Sequence, residues 1–127
     1  MPHIIVEYTN NIAGEAEIPA LLKKINETLI AQDGVFPTGG IRARAIRLTD
    51  YYIADGSADD AFVHTTLKIA PGRSGEVKKK TCDDLFQMME EHFTELFQKR
   101  YIALSMELAE FSEGSTYKKN TIHKRFT

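Results

Sequence analysis

Residues 1–8 read MPHIIVEY, and whether this run opens a strand decides how the rest of the chain is parsed. Ile4, Ile5, Val6 and Tyr8 are β-branched or aromatic, the side chains that pack best on a pleated surface. Pro2 is compatible with that reading, because a proline at the first position of a strand removes nothing from the hydrogen-bond ladder. It also raises a chemical question. Removal of an initiator methionine ahead of proline would leave a free secondary amine at the head of the strand.

Outward from this strand, Ile18, Leu21, Leu22, Ile25 and Leu29 recur at helical spacing and predict a helix that ends near Asp33-Gly34, with Pro19 in its first turn. The loop-like Phe36-Pro37-Thr38-Gly39-Gly40 leads into a second strand over residues 41–48. After a break around Asp55-Gly56, a third strand is expected over 62–69, and Pro71-Gly72 turns the chain. Ser74 is placed to cap a long helix, and Glu76 in its first turn suits the helix dipole. Val77, Cys82, Leu85, Phe86, Met89, Phe93, Leu96 and Phe97 trace its apolar face. A fourth strand follows, with Ile102, Leu104, Met106 and Leu108 alternating against Ala103, Ser105, Glu107 and Ala109.

The order strand, helix, strand thus occurs twice, offset by about 60 residues, as in an internal duplication of a half too small to fold alone. The expected fold is α/β. Two tandem β-α-β units, residues 1–57 and 58–112, form one domain with a C-terminal extension. Strands within each unit are far enough apart in sequence to run parallel through a right-handed helical crossover. The sheet would have four strands, with both helices on one face. Its other face, expected to carry Ile, Leu and Val, would then be buried by self-association, and Tyr117 to Thr127 would dock on a neighbouring subunit.

At 127 residues, 43% hydrophobic and 27% charged, the chain has the composition of a soluble single domain. A net charge of −2 gives no argument for nucleic acid, and Lys78-Lys79-Lys80 and Lys118-Lys119 read as solvated faces. The single cysteine, Cys82, cannot form an internal disulfide and suits a reducing cytoplasm. On the apolar stripe of the second helix it is expected to be a buried packing residue. No secretory leader pattern and no apolar run of roughly 18 residues is present, so membrane association is not expected.

His3, His64, His92 and His123 have none of the usual paired ligand spacings, so no metal site is expected, and His64 reads as a hydrogen-bonded structural histidine. There is no phosphate-binding or dinucleotide fingerprint. An amine and several arginines remain. A terminal amine titrates at roughly pH 8 in small peptides, and nearby cations or desolvation lower it, so it can act as a free base at neutral pH. Arg42 and Arg44 share one face of a strand, and Arg73 sits in a turn ahead of a helix. Guanidinium groups grip carboxylates with paired hydrogen bonds. Such a set fits proton abstraction from a carboxylate-bearing substrate. Most strand and loop arginines are simply surface residues, however, and the set also fits a module whose proline merely starts a strand.

Met1-Pro2-His3 before an apolar strand, Phe36-Pro37-Thr38-Gly39-Gly40-Ile41-Arg42-Ala43-Arg44, the run from Ala61 to Ile69, and Gly72-Arg73-Ser74 opening a helix closely resemble the 5-carboxymethyl-2-hydroxymuconate isomerase family. That family is the long-chain branch of the tautomerase superfamily, and the resemblance runs over essentially the whole chain. Ile69 to Lys79 is also similar to the half-length relatives, the 4-oxalocrotonate tautomerases. The resemblance implies two fused β-α-β units, a homotrimer, and catalysis by an N-terminal proline with no cofactor. It makes Pro2 the general base, Arg42 and Arg73 the substrate-binding and electrophilic arginines, and Arg44 a further substrate-binding residue. Thr9-Asn10-Asn11 stands in the first half where Gly72-Arg73-Ser74 stands in the second. Each chain should therefore complete one site, with Arg73 serving its own Pro2 or a neighbour's. The implied reaction converts the 2-hydroxymuconate form of a small di- or tricarboxylate into its oxo form, in homoprotocatechuate breakdown in the cytoplasm. The alternatives are a phenylpyruvate-type tautomerase, a dehalogenase, or a non-catalytic trimeric binding module.

Overall fold

Alternate side chains of an extended segment point to opposite faces, and residues 3–9 obey that rule. Ile4 and Val6 are fully buried, whereas His3, Ile5 and Glu7 keep part of their surface in solvent. The computed structural model describes residues 1–127. Its elements are β1 (His3–Thr9), α1 (Ile18–Ile30), β2 (Arg42–Leu48), β3 (Ala61–Ile69), α2 (Gly75–His92), α3 (Thr94–Lys99) and β4 (Ile102–Glu110). Short 3-10 turns lie at Asn10–Ile12, Thr38–Gly40, Glu113–Ser115 and Ile122–Phe126.

The four strands form one sheet in the order β2-β1-β3-β4. β1 runs parallel to β2 and β3 parallel to β4, while β1 and β3 meet antiparallel at the centre. Each β-α-β unit is therefore a parallel pair, and the two units join through their first strands. The register builds apolar rows across the join. Ala43, Ile4, Leu67 and Leu108 form one, and Ala45, Val6, Thr65 and Met106 the next. Leu21, Ile25 and Leu29 of α1 and Leu85 and Met89 of α2 close over these rows, in a core of 17 buried residues drawn from both units. Burying a side chain such as Ile4 or Leu67 contributes about 1.5–3 kcal/mol.

The expected long second helix is two helices. Thr94 donates its hydroxyl to the carbonyls of Glu90 (3.2 Å) and Glu91 (2.9 Å), a back-bond that bends helices, and Phe93 leaves helical geometry at φ −97°, ψ 12°. The buried stripe of α2 also runs through Thr81, Leu85 and Met89, so Cys82 lies beside it and is half-buried. Burial, with a smaller effect from Asp83, pushes its thiol up. Ser74 caps α2 as expected, accepting from the Val77 amide at 3.2 Å.

Two further expectations are corrected. The sheet face away from the helices carries no Val, because the register sends Val6 and Val63 to the helix side. Its apolar members are Ile5, Ile46, Leu48, Phe62 and alanines, set among Arg42, Arg44, Glu7, His64, Lys68 and Glu107. His64 is held there by Ser105 Oγ (2.7 Å from Nδ1) and Glu107 Oε1 (3.2 Å from Nε2). The end of the chain docks on its own subunit. Asn120 Nδ2 donates to the Gly39 carbonyl at 2.8 Å, and a Cβ on Gly39 would lie 2.8 Å from the Cα of His123. No helix is long and apolar enough to cross a membrane.

Candidate active site

The head of β1 is tied to β2 one residue before the strand proper begins. Pro2 is buried, and its carbonyl accepts the Arg42 amide at 3.1 Å. The register then sets His3 beside Arg42 and Ile5 beside Arg44, so both arginines stand on the face of His3. Arg44 Nη1 lies 3.1 Å from His3 Nδ1, which makes that ring nitrogen an acceptor. Burial, followed by Arg44, Arg42, the terminal amine and Lys68, holds the His3 pKa below its ordinary value. The ring also meets Phe111 edge to face, with centroids 5.8 Å apart.

Arg73 comes from the other half of the chain. Gly72 precedes it at φ +112°, a backbone conformation that side chains disfavour, and this turns the chain sharply out of β3. The guanidinium then stacks 4.6 Å from the Phe36 ring centre and donates to the carbonyls of Val35 (3.1 Å) and Ala70 (3.2 Å). A residue of the second unit is thus clamped by the loop of the first. This clamp keeps its charge close to the start of the chain.

The terminal amine reports how these groups converge. Its pKa is lowered, first by burial and then by the charges of Lys118, Arg73 and Arg42 of the same chain. In this structure the amine belongs to Met1, and the nitrogen of Pro2 is an amide. Met1, His3 and Arg42 line a pocket of about 500 Å³ with Ala70, Phe111, Glu113, Thr116, Tyr117, Lys118 and Lys119. No group of three His, Cys, Asp or Glu side chains is arranged to hold a metal ion.

Of the residues singled out in the sequence, Arg42 lines the pocket, Pro2 is buried next to Met1 and bonded to Arg42 without lining it, and Arg73 stands near enough for its charge to reach the amine. Arg44 is joined to them through His3 and does not line the pocket. Sequence reasoning missed His3, Phe111, Lys118 and Lys119. The lysines were read as a solvated face, and what places them is the Gly39-Gly40 notch that receives the end of the chain. Two consecutive glycines ahead of a strand were the available signal. Chemically, the arrangement offers a weakly basic amine to take and return a proton, and cations to hold carboxylates beside it.

Comparison with known proteins agrees over the whole chain. The family described as 5-carboxymethyl-2-hydroxymuconate isomerase matches residues 2–126. The chain is 43% identical over 126 residues to a 5-carboxymethyl-2-hydroxymuconate Delta-isomerase of Escherichia coli, covering 99% of each. It superposes with a TM-score of 0.95 and 52% identity on a crystal structure of a 5-carboxymethyl-2-hydroxymuconate isomerase from Deinococcus radiodurans R1, over 99% of this chain and 94% of that one. A fused 4-OT wild-type symmetric trimer shares the fold alone, at a TM-score of 0.63 and 15% identity over 92% of this chain and 93% of that one.

Proposed function

The chain belongs to the 5-carboxymethyl-2-hydroxymuconate isomerase family, and from that premise we propose that it converts 5-carboxymethyl-2-hydroxymuconate into its oxo form with Pro2 as the base. Loss of Met1 turns the Pro2 nitrogen from an amide into a secondary amine, mounted rigidly by the carbonyl bond to Arg42. The amine removes the proton of the 2-hydroxyl. The C–O bond becomes a carbonyl as the double bonds shift, and the same proton, or one exchanged for it, returns to a carbon along the conjugated chain. Atoms and charge balance without a cofactor. Arg42 and Arg73 hold substrate carboxylate and stabilise the oxyanion-like electron density that builds up between the two transfers. Arg44 acts on the same end of the substrate through His3, which it orients.

The observation that carries this reading is that arginines from the two halves of the chain meet at its head, Arg42 through its bond to the Pro2 carbonyl and Arg73 through its clamp on Val35 and Phe36. Burial and the charges of Lys118, Arg73 and Arg42 lower the pKa of the Met1 amine there, the direction that favours a free base. The two units, residues 1–57 and 58–112, then act as one domain with one site per chain. A homotrimer is proposed as well, supported by the uncovered sheet face and by the trimer among fold relatives, with the cytoplasm as its compartment. Rates on a panel of dienols and halo-acids test the substrate. The 2-hydroxymuconates should be preferred by at least about tenfold in kcat/KM, a difference of about 1.4 kcal/mol. Equal or faster turnover of phenylenolpyruvate or a chloroacrylate would assign the site to another activity of the superfamily.

A further inference from the structure

The end of the chain is seated against its beginning. The residues after β4 form an extension that belongs to neither β-α-β unit and is held at two places. Near β4, the Phe111 amide donates to the Ile69 carbonyl at 2.9 Å, and the Phe111 ring meets His3 edge to face. Further on, Asn120 Nδ2 donates to the Gly39 carbonyl at 2.8 Å, while Asn120 Oδ1 accepts the Ile122 amide at 2.7 Å. A Cβ on the adjoining Gly40 would lie 3.4 Å from Cγ of Met1 and 3.5 Å from Cε1 of His123. One glycine thus sits against both ends of the chain.

This seating fixes where Lys118 stands. It comes just before the Asn120 anchor and shares the pocket lining with Met1 and Arg42. Neither Lys118 nor Arg42 enters an ion pair, so both charges are unspent. The body of the chain faces the terminal amine with His3 from β1, Arg42 from β2 and Arg73 from the turn before α2. The extension adds Glu113, Tyr117, Lys118 and Lys119 to the lining, and His123 beside Gly40. Glu113 is the one carboxylate among these groups. Burial lowers the pKa of the Met1 amine most, and among the charges Lys118 comes first, ahead of Arg73 and Arg42. The Pro2 nitrogen is separated from that amine only by the Cα and carbonyl carbon of Met1, so loss of Met1 leaves the new amine in the same surroundings.

We propose that the C-terminal extension is a working part of the site, and that Lys118 is the positioning residue through which it acts on the base. This rests on the isomerase reading above, with Pro2 as that base. Lys118 transfers no proton. With the extension seated, its ammonium opposes protonation of the amine, and an extension that lifts away withdraws that charge.

The test uses chains shown by intact mass to begin at Pro2 and labelled with 15N-proline. The Pro2 nitrogen is then the one labelled amine, Pro19, Pro37 and Pro71 being amides, and NMR follows its titration directly. The pH profile of kcat/KM on 5-carboxymethyl-2-hydroxymuconate, which reports the free enzyme, is measured beside it. In Lys118→Ala the amine should titrate at higher pH and the acid limb should move up with it, so that turnover is lost on the acid side and kept on the alkaline side. Lys118→Arg keeps the charge and should restore both readings. Asn120→Ala, which unties the extension with Lys118 still present, should shift them in the same direction as Lys118→Ala. Lys124→Ala removes an exposed charge of the same extension outside the pocket lining and should shift neither. An unmoved titration in Lys118→Ala, a loss equal at every pH, or an equal shift in Lys124→Ala overturns the role of Lys118. An unmoved titration in Asn120→Ala overturns that of the seated extension. A wild type that turns over no muconate overturns the isomerase reading instead, and the amine titration still decides whether Lys118 acts on Pro2.

Discussion

Arg73 is the residue whose position says most about the site. Its guanidinium is fixed by a ring and a carbonyl from the first half of the chain and by a carbonyl of its own turn, so it reaches the amine as a preset charge. The sign of its effect on pH dependence follows. The catalytic form of the amine is the free base, and a neighbouring cation disfavours the protonated form, as burial and the charges of Lys118, Arg73 and Arg42 do for the Met1 amine in this structure. In Arg73→Ala that repulsion is gone, the amine pKa rises, and the acid limb of kcat/KM should move to higher pH. Arg73→Lys keeps the charge but loses the planar two-pronged grip, so the limb should stay near its wild-type position while turnover falls by about tenfold or more. A pH profile of the two variants measures this, and an unmoved limb in Arg73→Ala would show that the charge does not act on the base. At this scale much was legible. The two-residue period placed Arg42 and Arg44 on one face, and the turn before Ser74 placed Arg73 outside the helix. The clamp by Val35 and Phe36 was not, because it joins residues separated by more than half a β-α-β repeat and no local pattern encodes it.

Among the elements, the strands and α1 follow their periodicity because each has one buried face, and that face dictates the spacing of Ile, Leu and Val. The break between α2 and α3 does not show in such a pattern: Phe93, Leu96 and Phe97 continue the helical spacing across it, and the cause is a single hydroxyl, that of Thr94, turned back on Glu90 and Glu91. The C-terminal extension was misread for a related reason. Its apolar residues, Ile122 and Phe126, are partly exposed, 42% and 53%, and suggested a neighbouring subunit, whereas the fixing contacts are made by Asn120 and His123 on a pair of glycines. Gly39→Ala tests this element. A methyl group there would meet backbone atoms of His123 at 2.8–2.9 Å, closer than a Cβ tolerates. The turn at Ile122–Phe126 should lift away, and limited proteolysis should cut residues 112–127 faster while the core of the sheet keeps its protection. Cleavage at the wild-type rate would mean that the notch does not hold the C-terminal extension.

For the whole molecule, duplication was the decisive sequence feature, and it led directly to a parallel strand pair in each half; the antiparallel join of the halves through β1 and β3 is not contained in it. The composition of the free sheet face was read only in part. Alternation says which residues share a face, but which face the helices cover is set by packing, and here they take the Val side and most of the Leu. The face left open mixes Ile5, Ile46, Leu48 and Phe62 with charged groups, a surface suited to a wet, ion-paired contact between copies more than to a second hydrophobic core. Sedimentation equilibrium should find three chains per particle, and Arg73→Ala should leave that number unchanged. A monomer would remove self-association from the proposal, and dissociation of Arg73→Ala would make Arg73 a residue of assembly. The central claim concerns Pro2, and the most direct measurement follows the ultraviolet absorbance of 5-carboxymethyl-2-hydroxymuconate with wild type and Pro2→Ala side by side, after intact mass has shown Met1 to be absent from both. Exchange of a secondary for a primary amine at the same position should leave the fold intact and lower kcat by about 10²-fold or more. Turnover of Pro2→Ala at the wild-type rate would contradict the assignment of this amine as the base.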